Sequence, residues 1–347
     1  MAIRPADHGV VASSAAGGMT YSTTGSPTLR TYSTYSSLTW TGSGSFTLLT
    51  NPNSLTFDYF IVGGGGAGGS GRTGSTDRNA NGAGGGGGAR TFTGQTLAIS
   101  AHTVTIGAGG TAAWSTSGNT AAGGTATTFV NSASGGGGGG NAGNGASSIG
   151  VGGDGGASGG GAADQDSAGD HGAGNDGSYS PIEGYDGGPG YNNPAYPAYT
   201  NGGGGGGGYG PYLTTQGGNL AQGDPGCVGA VNNYMTGLAL SVPYVSGETS
   251  FAGGGGATQG HSLWGFAYYE GGTKVFGGGD NMSPKLANGA TAYFGAGNGG
   301  TQTTDGGPGL ANSGGGGGGI GTTHSSTSYT GGNGGSGVVV LRWVTEA

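Results

Sequence analysis

FDYFIVGGGGAGGSG, residues 57–71, passes without a break from six residues that prefer a pleated strand to nine that carry almost no side chain. The first part is aromatic and β-branched, the content of a buried strand. The second part has nothing to bury. Gly also loses more backbone freedom on folding than any other residue, at a cost of roughly 0.5–1 kcal/mol relative to Ala in regular structure. Cohesion in such a segment must come from the backbone itself. One arrangement makes Gly a requirement: extended three-residue-per-turn helices of the polyproline II type, packed side by side with their backbones nearly touching. These rods have no internal hydrogen bonds, so their N–H and C=O groups are free to pair with neighbouring rods, supplemented by Cα–H···O contacts.

Outward from residue 71 the same element recurs. Gly runs lie at 63–66, 84–88, 135–140, 202–208, 253–256, 277–279 and 314–319, separated by unequal insertions. At about 3.1 Å rise per residue, a run of six or seven spans about 20 Å, a length suited to one layer of a sandwich. The spacing is neither the strict triplet of collagen nor a fixed solenoid period. Strand-like segments frame the rods: TLRTYSTYSSLTW (28–40), SFTLL (45–49), LTFDYFIV (55–62), a pair of strands RTFTGQTLAI (90–99) and HTVTIG (102–107), and TATTFV (125–130). SGVVVLRWV (336–344) is the clearest strand and is expected to pack against FDYFIV, bringing the two ends of the glycine-rich region together. No segment has a 3.6-residue apolar period, so almost no α-helix is expected. The expected class is therefore mainly β and irregular, a short-strand framework plus packed polyglycine II helices. The expected organisation is an N-terminal β-rich attachment region over 1–54 and a glycine-rich domain over 55–344, closed by the strand 336–344.

With 97 Gly and 12 Pro in 347 residues, composition alone would suggest disorder, but 17 Tyr, 9 Phe and 4 Trp argue for an ordered chain. The 8 Lys and Arg against 16 Asp and Glu, net charge −8, provide no electrostatic footprint for nucleic acid or an anionic membrane. Cys227 is the single cysteine, so no intrachain disulfide is expected. MAIRPADHGVVASSAAGG at the start lacks the pattern of a signal peptide, and no apolar run approaches the ~20 residues of a membrane span. Assembly in the cytoplasm without membrane insertion is the expectation.

The ordered combination FDYFIVGGGGAGGSG, TLAISAHTVTIGAGG, repeated Gly blocks, SGETSFAGGGG and GGNGGSGVVVLRW, over roughly 55–344, resembles the glycine-rich domain of bacteriophage tail-fibre and related virion proteins. It is similar, more distantly, to the tip adhesins of T-even-type phages, in which stacked polyglycine II helices carry variable receptor-binding loops. The resemblance implies a host-facing virion protein, a homo-oligomer with a trimer favoured. Its implied partners are other virion proteins and a host cell-surface glycan or outer-membrane protein. Residues 1–50 lie outside it.

Gly64, Gly66 and Gly69 satisfy G-x-G-x-x-G after a strand, yet the following residues offer neither the helix nor the acidic strand end of a dinucleotide site, so a structural rod is the better reading and no cofactor is expected. Asp154, Asp164, Asp166, Asp170, His171, Asp176, Glu183 and Asp186 could in principle gather around Ca²⁺, but no calcium-loop spacing is present and a solvated loop surface is expected. The Tyr- and Pro-rich stretch 178–212 is the candidate binding region. Tyr179, Tyr185, Tyr191, Tyr196, Tyr199, Tyr209 and Tyr212 sit among turns stiffened by Pro181, Pro189, Pro194, Pro197 and Pro211. Tyr supplies rigid amphipathic contact area at low entropy cost. The competing role for these rings is to cap the polyglycine layers or join subunits. HSLWGFAYYEGGTKVF (261–276), with Trp264, Phe266, Tyr268 and Tyr269, invites the same two readings, whereas the apolar strip 227–245 reads as a packed strand or interface.

His8, His102, His171, His261 and His324 are scattered, and no H-E-x-x-H, G-x-S-x-G or Walker sequence appears, so no enzyme and no metal site is expected. The expected function is presentation of Tyr-rich loops on a polyglycine scaffold for host-surface recognition. The alternatives are a purely architectural virion part, such as a fibre, collar or decoration protein, and then an ice-binding or an extracellular fibril protein.

Overall fold

The computed structural model describes residues 12–13, 18–32, 34–70, 81–113, 120–141, 152–154, 171–175, 178–180, 182–188, 230–231, 250–251, 296–297, 299–300, 305–320 and 329–344. Among them the regular hydrogen-bonded elements are strands: β1 (Ala12–Ser13), β2 (Thr20–Thr24), β3 (Thr28–Tyr32), β4 (Tyr35–Trp40), β5 (Gly44–Thr50), β6 (Phe57–Val62), β7 (Ala89–Gln95), β8 (Ala101–Val104), β9 (Thr127–Thr128), β10 (Ser132–Ala133), β11 (Ala230–Val231), β12 (Ser250–Phe251) and β13 (Val338–Val344). No α-helix occurs among the described residues.

Two antiparallel sheets face each other. One has the order β1-β2-β5-β8, the other β3-β4-β13-β6-β7. In the second, the last strand of the chain is the middle one: Val339 lies between Trp40 and Ile61, and Leu341 between Leu38 and Tyr59. These rows, with Phe57 and Trp343, form the inner face and meet Met19, Tyr21, Phe46, Leu48 and Val104 from the first sheet. Rings lock the two faces together, Tyr21 edge-on to Trp343 at 5.4 Å and Phe46 edge-on to Phe57 at 5.9 Å. The Trp40 indole N–H reaches across to the Thr24 carbonyl at 3.1 Å. The expected pairing of 336–344 with FDYFIV is present, and the strands before residue 55 share this core.

RTFTGQTLAI and HTVTIG are strands, but in different sheets: β7 pairs with β6 and β8 with β5. Residues between them cross from one sheet to the other, which puts Leu97 inside the core. Alternation within each segment identified a strand; it carried no information on the partner.

Where the apolar strand residues stop, the same chain continues as a rod. Segment 63–70 follows β6 directly, 81–88 runs into β7, and 330–337 runs into β13. The rods are stacked end-on to the strands and form a bundle rather than one layer of a sandwich. The hydrogen bonds of 63–70 repeat every third residue. Gly63, Gly66 and Gly69 N–H donate to Gly88, Gly85 and Gly82; Gly64 and Ala67 to Thr125 and Ala122; Gly65 and Gly68 to Gly335 and Gly332. Partner numbers fall as donor numbers rise, so these three neighbours are antiparallel. In the other three directions 63–70 accepts: Gly64 and Ala67 from Gly136 and Gly139, Gly65 from Gly110, Gly66 from Gly317. Segment 63–70 is therefore a three-fold helix with six neighbours, hydrogen-bonded to each.

At the glycines facing a neighbouring rod the spacing leaves no room for a side chain. A Cβ at Gly63, Gly66 or Gly69 would stand 1.9, 2.0 or 2.3 Å from the carbonyl oxygens of Ser134, Gly137 and Gly140. One at Gly65 or Gly68 would stand 2.1 Å from those of Gly315 and Gly318. At the sheet end, the chain reverses between rods 305–310 and 314–320 through a turn in which Asn312 and Gly314 have φ of 64° and 66°. Each inter-rod hydrogen bond is worth a net ~1 kcal/mol, close to the excess entropy of fixing a Gly. The bundle alone is near break-even, and the buried aromatic core, at ~1.5–3 kcal/mol per side chain, decides the balance.

Candidate functional site

The rods have two unlike ends. One abuts the sheets. At the other lie Ser70, Ala113, Asn141, Gly300 and Ile320 together with Asn81, Thr120, Gly152, Asp305 and Tyr329, the ends of described rods. Hydrogen bonds tie this far end together: Ser70 N–H to Asn141 Oδ1 at 2.7 Å, Gly331 N–H to Ser70 Oγ at 2.9 Å, and the Asn81 amide to the Ile320 carbonyl at 2.8 Å. These rod ends thus share one rim, opposite the sandwich.

The Tyr-rich insertion starts elsewhere, at the junction of sheet and bundle. Its stem is held by two charged residues. Arg90, at the start of β7 and 8 % exposed, donates from Nη1 to the Ser132 carbonyl at 2.7 Å and from Nη2 to the Ser180 carbonyl at 3.0 Å. Its guanidinium lies between the Phe92 and Tyr179 rings, 4.9 and 5.0 Å from their centroids. Phe92 stacks on Tyr59, whose phenol accepts from the Asn131 amide. Burial pushes the Tyr59 phenol pKa up, opposed by that hydrogen bond and by the Arg90 charge. Glu183 is fully buried. Its carbonyl accepts from Ala89 N–H at 2.9 Å and its Oε2 from Ser134 N–H at 3.0 Å, and its own N–H donates to Asn175 Oδ1. Glu183 thereby completes the backbone pairing of two rods at their sheet ends.

The acidic stretch has the same use where it is described. Asp154 Oδ1 accepts from Ala173 N–H at 2.8 Å and Asp186 Oδ1 from Gly174 N–H at 2.7 Å; Asp305 Oδ1 does the same for Thr330 N–H at 2.7 Å. Asp154 and Asp186 are exposed as expected and cap as well, whereas for Glu183 the expectation of a solvated surface is corrected: it is buried. A rod ending without a neighbour leaves a donor that an anionic oxygen satisfies well. Asp164, Asp166, Asp170 and Asp176 lie outside the described residues. Among the described residues no three His, Cys, Asp or Glu side chains form a metal-binding group.

Of the predicted binding residues, Tyr179 is half-buried on Arg90, and the backbone of Tyr185 closes on Gly174, where a Cβ would lie 2.1 Å from the Tyr185 carbonyl carbon. Tyr191, Tyr196, Tyr199, Tyr209, Tyr212, Trp264, Tyr268 and Tyr269 lie outside the described residues. Of the strip 227–245, Ala230–Val231 forms a strand paired with Ser250–Phe251.

The sequence profile of a family described as a glycine-rich domain matches residues 39–344. The chain belongs to that family. Its matched span begins within β4 and ends with β13, so the glycine-rich domain includes three adjacent strands of one sheet as well as the rods. No curated protein matches the chain. Within the glycine-rich domain, sequence reading passed over Arg90 and counted Glu183 only as one acid among several. Their signal was scarcity: with only 8 Lys and Arg in the chain, an Arg placed one residue beyond Ala89 at the end of a Gly run needs a partner, and here it pins the stem of the next insertion.

Arg90→Ala is expected to destabilise the fold by about 3 kcal/mol in denaturant unfolding, because the Ser132 and Ser180 carbonyls lose their donor together. Arg90→Lys is expected to recover little, since one ammonium cannot reproduce the planar fork. Full stability in the Ala variant would show that the latch is dispensable.

Proposed function

We propose that this chain is a structural protein of a bacteriophage virion, of the tail-fibre or adhesin kind, that displays its insertions toward a host surface. The observation that carries the reading is the polarity of the bundle: rod ends gather on one rim, while the other end is closed by a packed sandwich. A rigid bundle of this kind holds variable loops at fixed spacing and lets their sequences change without disturbing the core. The sandwich end is the attachment side, toward other virion proteins or other copies in a homo-oligomer. The rim and the Tyr-rich insertion face a host glycan or outer-membrane protein. The phage assignment rests on the ordered motifs from FDYFIVGGGG to GGSGVVVLRW.

The test is adsorption of the purified protein to bacterial cells. Tyr191, Tyr196 and Tyr199 changed together to Ala are expected to weaken it at least about tenfold with the thermal midpoint unchanged, as loss of aromatic anchors does elsewhere. Undiminished adsorption by the triple variant would move the binding face away from this insertion. The inward packing of Tyr179 on Arg90 favours a second reading, an architectural virion part in which the insertion's rings serve cohesion. Absence of cell binding together with stable incorporation into particles would select it.

A further inference from the structure

β3 is the outermost strand of the five-stranded sheet, and its residues Thr28, Leu29, Arg30 and Thr31 are all exposed. Tyr32 and Tyr35 are paired with only two residues between them, which makes them a hydrogen-bonded pair. Counting back along the register, Arg30 bonds to Ser37 and Thr28 to Thr39, so the N–H and C=O groups of Leu29 and Thr31 point away from the sheet. The 3.1 Å contact between the Thr31 and Ser36 hydroxyls fits the closer side-chain approach of a non-hydrogen-bonded pair. Neither outward N–H has a partner among the described residues. The other edges are protected. β7 is bulged between Phe57 and Tyr59, and its first N–H, that of Ala89, is taken by the Glu183 carbonyl. The four-stranded sheet ends in β1, two residues long, and in β8, whose line continues into a bridge between Thr105 and Thr128. A straight, uncovered edge is a template for another strand. Leu29 marks what would fit. The row Tyr59–Leu341–Leu38–Leu29 crosses the inner face of the sheet; its first three members are buried, and the last is 43 % exposed. An apolar row of the core thus runs out to the edge and stops in solvent.

We propose that β3 pairs antiparallel with β3 of a second copy of this chain about a two-fold axis, with Leu29 opposite Leu29. Only Leu29 and Thr31 have outward backbone groups, so three registers are available. Leu29 opposite Thr31 sets Arg30 directly against Arg30, a repulsive cross-strand pair. Thr31 opposite Thr31 carries Leu29 past the end of the facing strand. Leu29 opposite Leu29 joins the apolar rows of the two sheets, places Arg30 across from Thr28, and lets each Thr31 N–H donate to the Pro27 carbonyl of the other copy. Pro27 has no N–H to offer, so the ladder ends there. A two-fold contact makes a dimer in place of the trimer that the resemblance implies. It names the surface for the copy-to-copy attachment proposed above and rests on that part of the reading.

Sedimentation of the full chain at about 100 μM, suited to a narrow contact, tests this. The parent is expected at twice the chain mass. Leu29→Lys is expected to raise the dissociation constant at least about tenfold, with the thermal midpoint within about 2 °C of the parent because the site is already exposed. The register is tested by cross-linking in a Cys227→Ser background, since Cys227 is the single cysteine. Leu29→Cys is expected to form a disulfide-linked dimer under oxidation, the facing Cα atoms being about 5.5 Å apart. Thr31→Cys is expected not to, because the two copies of that residue lie four strand positions apart, about 14 Å. An oligomer that ignores Leu29→Lys, or one that cross-links through Thr31→Cys and not through Leu29→Cys, overturns the pairing and leaves copy-to-copy attachment standing. A monomeric parent overturns both. Cell adsorption plays no part in these readouts, so failure of host binding is seen separately.

Discussion

Gly66→Ala is expected to leave no folded protein, although it adds one methyl group to a chain in which Ala is already common. The new Cβ would stand 2.0 Å from the Gly137 oxygen and 2.5 Å from its carbonyl carbon, where about 3.4 Å is ordinary contact. Relief requires one backbone to retreat by more than an ångström. Gly66 cannot yield, because its N–H is held by Gly85 and its carbonyl by Gly317. Gly137 cannot yield either, because its carbonyl accepts from Gly85. Movement would break pairing with several rods together, a loss above about 5 kcal/mol and comparable with the whole stability of a domain. Gly42→Ala is the matched control: nothing lies within 4 Å of its Cβ, so a midpoint within about 2 °C of the parent is expected. Circular dichroism and thermal scans of the two variants decide the matter. A well-folded Gly66→Ala protein would mean that the rods are not held by close backbone approach.

Truncation after Gly337 is the second change with a very large expected effect. β13 has full registers with β4 on one side and β6 on the other, so its loss divides a five-stranded sheet into two unconnected pairs. It also removes Val339, Leu341 and Trp343 from the core, each at most 2 % exposed. At ~1.5–3 kcal/mol apiece, their burial alone approaches the stability of a typical domain. The truncated chain is expected to accumulate as insoluble material. Leu341→Ala is the graded version, expected to remain folded with a loss of about 3 kcal/mol in urea unfolding. A soluble truncated chain with the parent's near-ultraviolet dichroism would place the stability of the bundle outside the sandwich.

Two kinds of residue behave differently as signals. The apolar strands were legible because their side chains declare burial: FDYFIV and VVVLRW could only be buried, and their pairing brings together residues 284 apart, the Asp58 and Arg342 side chains, in an ion pair of 2.7 Å. The Gly runs were legible as rods because no other packing makes use of them. What a Gly run does not contain is an address. Gly64, Gly65 and Gly66 are chemically identical, so nothing in GGGG states that the first faces Ala108, the second Gly315 and the third Gly137. The pair 90–99 and 102–107 failed for a related reason, since alternation defines a face and leaves the partner open. Glu183 looked like surface charge and Arg90 drew no reading because their task is to satisfy backbone groups contributed by distant segments, and such groups have no trace in the local sequence.

By itself the sequence determined that this chain is built from short strands and side-chain-free rods, since only flush backbones can use so much glycine and only a few stretches can form an apolar core. The tertiary structure alone decided which rod lies beside which, that 63–70 is the central one with six neighbours, and that rod ends share a rim opposite the sandwich. The physical reason is that strand content and close packing are properties of residue type, whereas neighbour identity among equivalent backbones is set by the strands at one end of each rod and the polar caps that tie its rim.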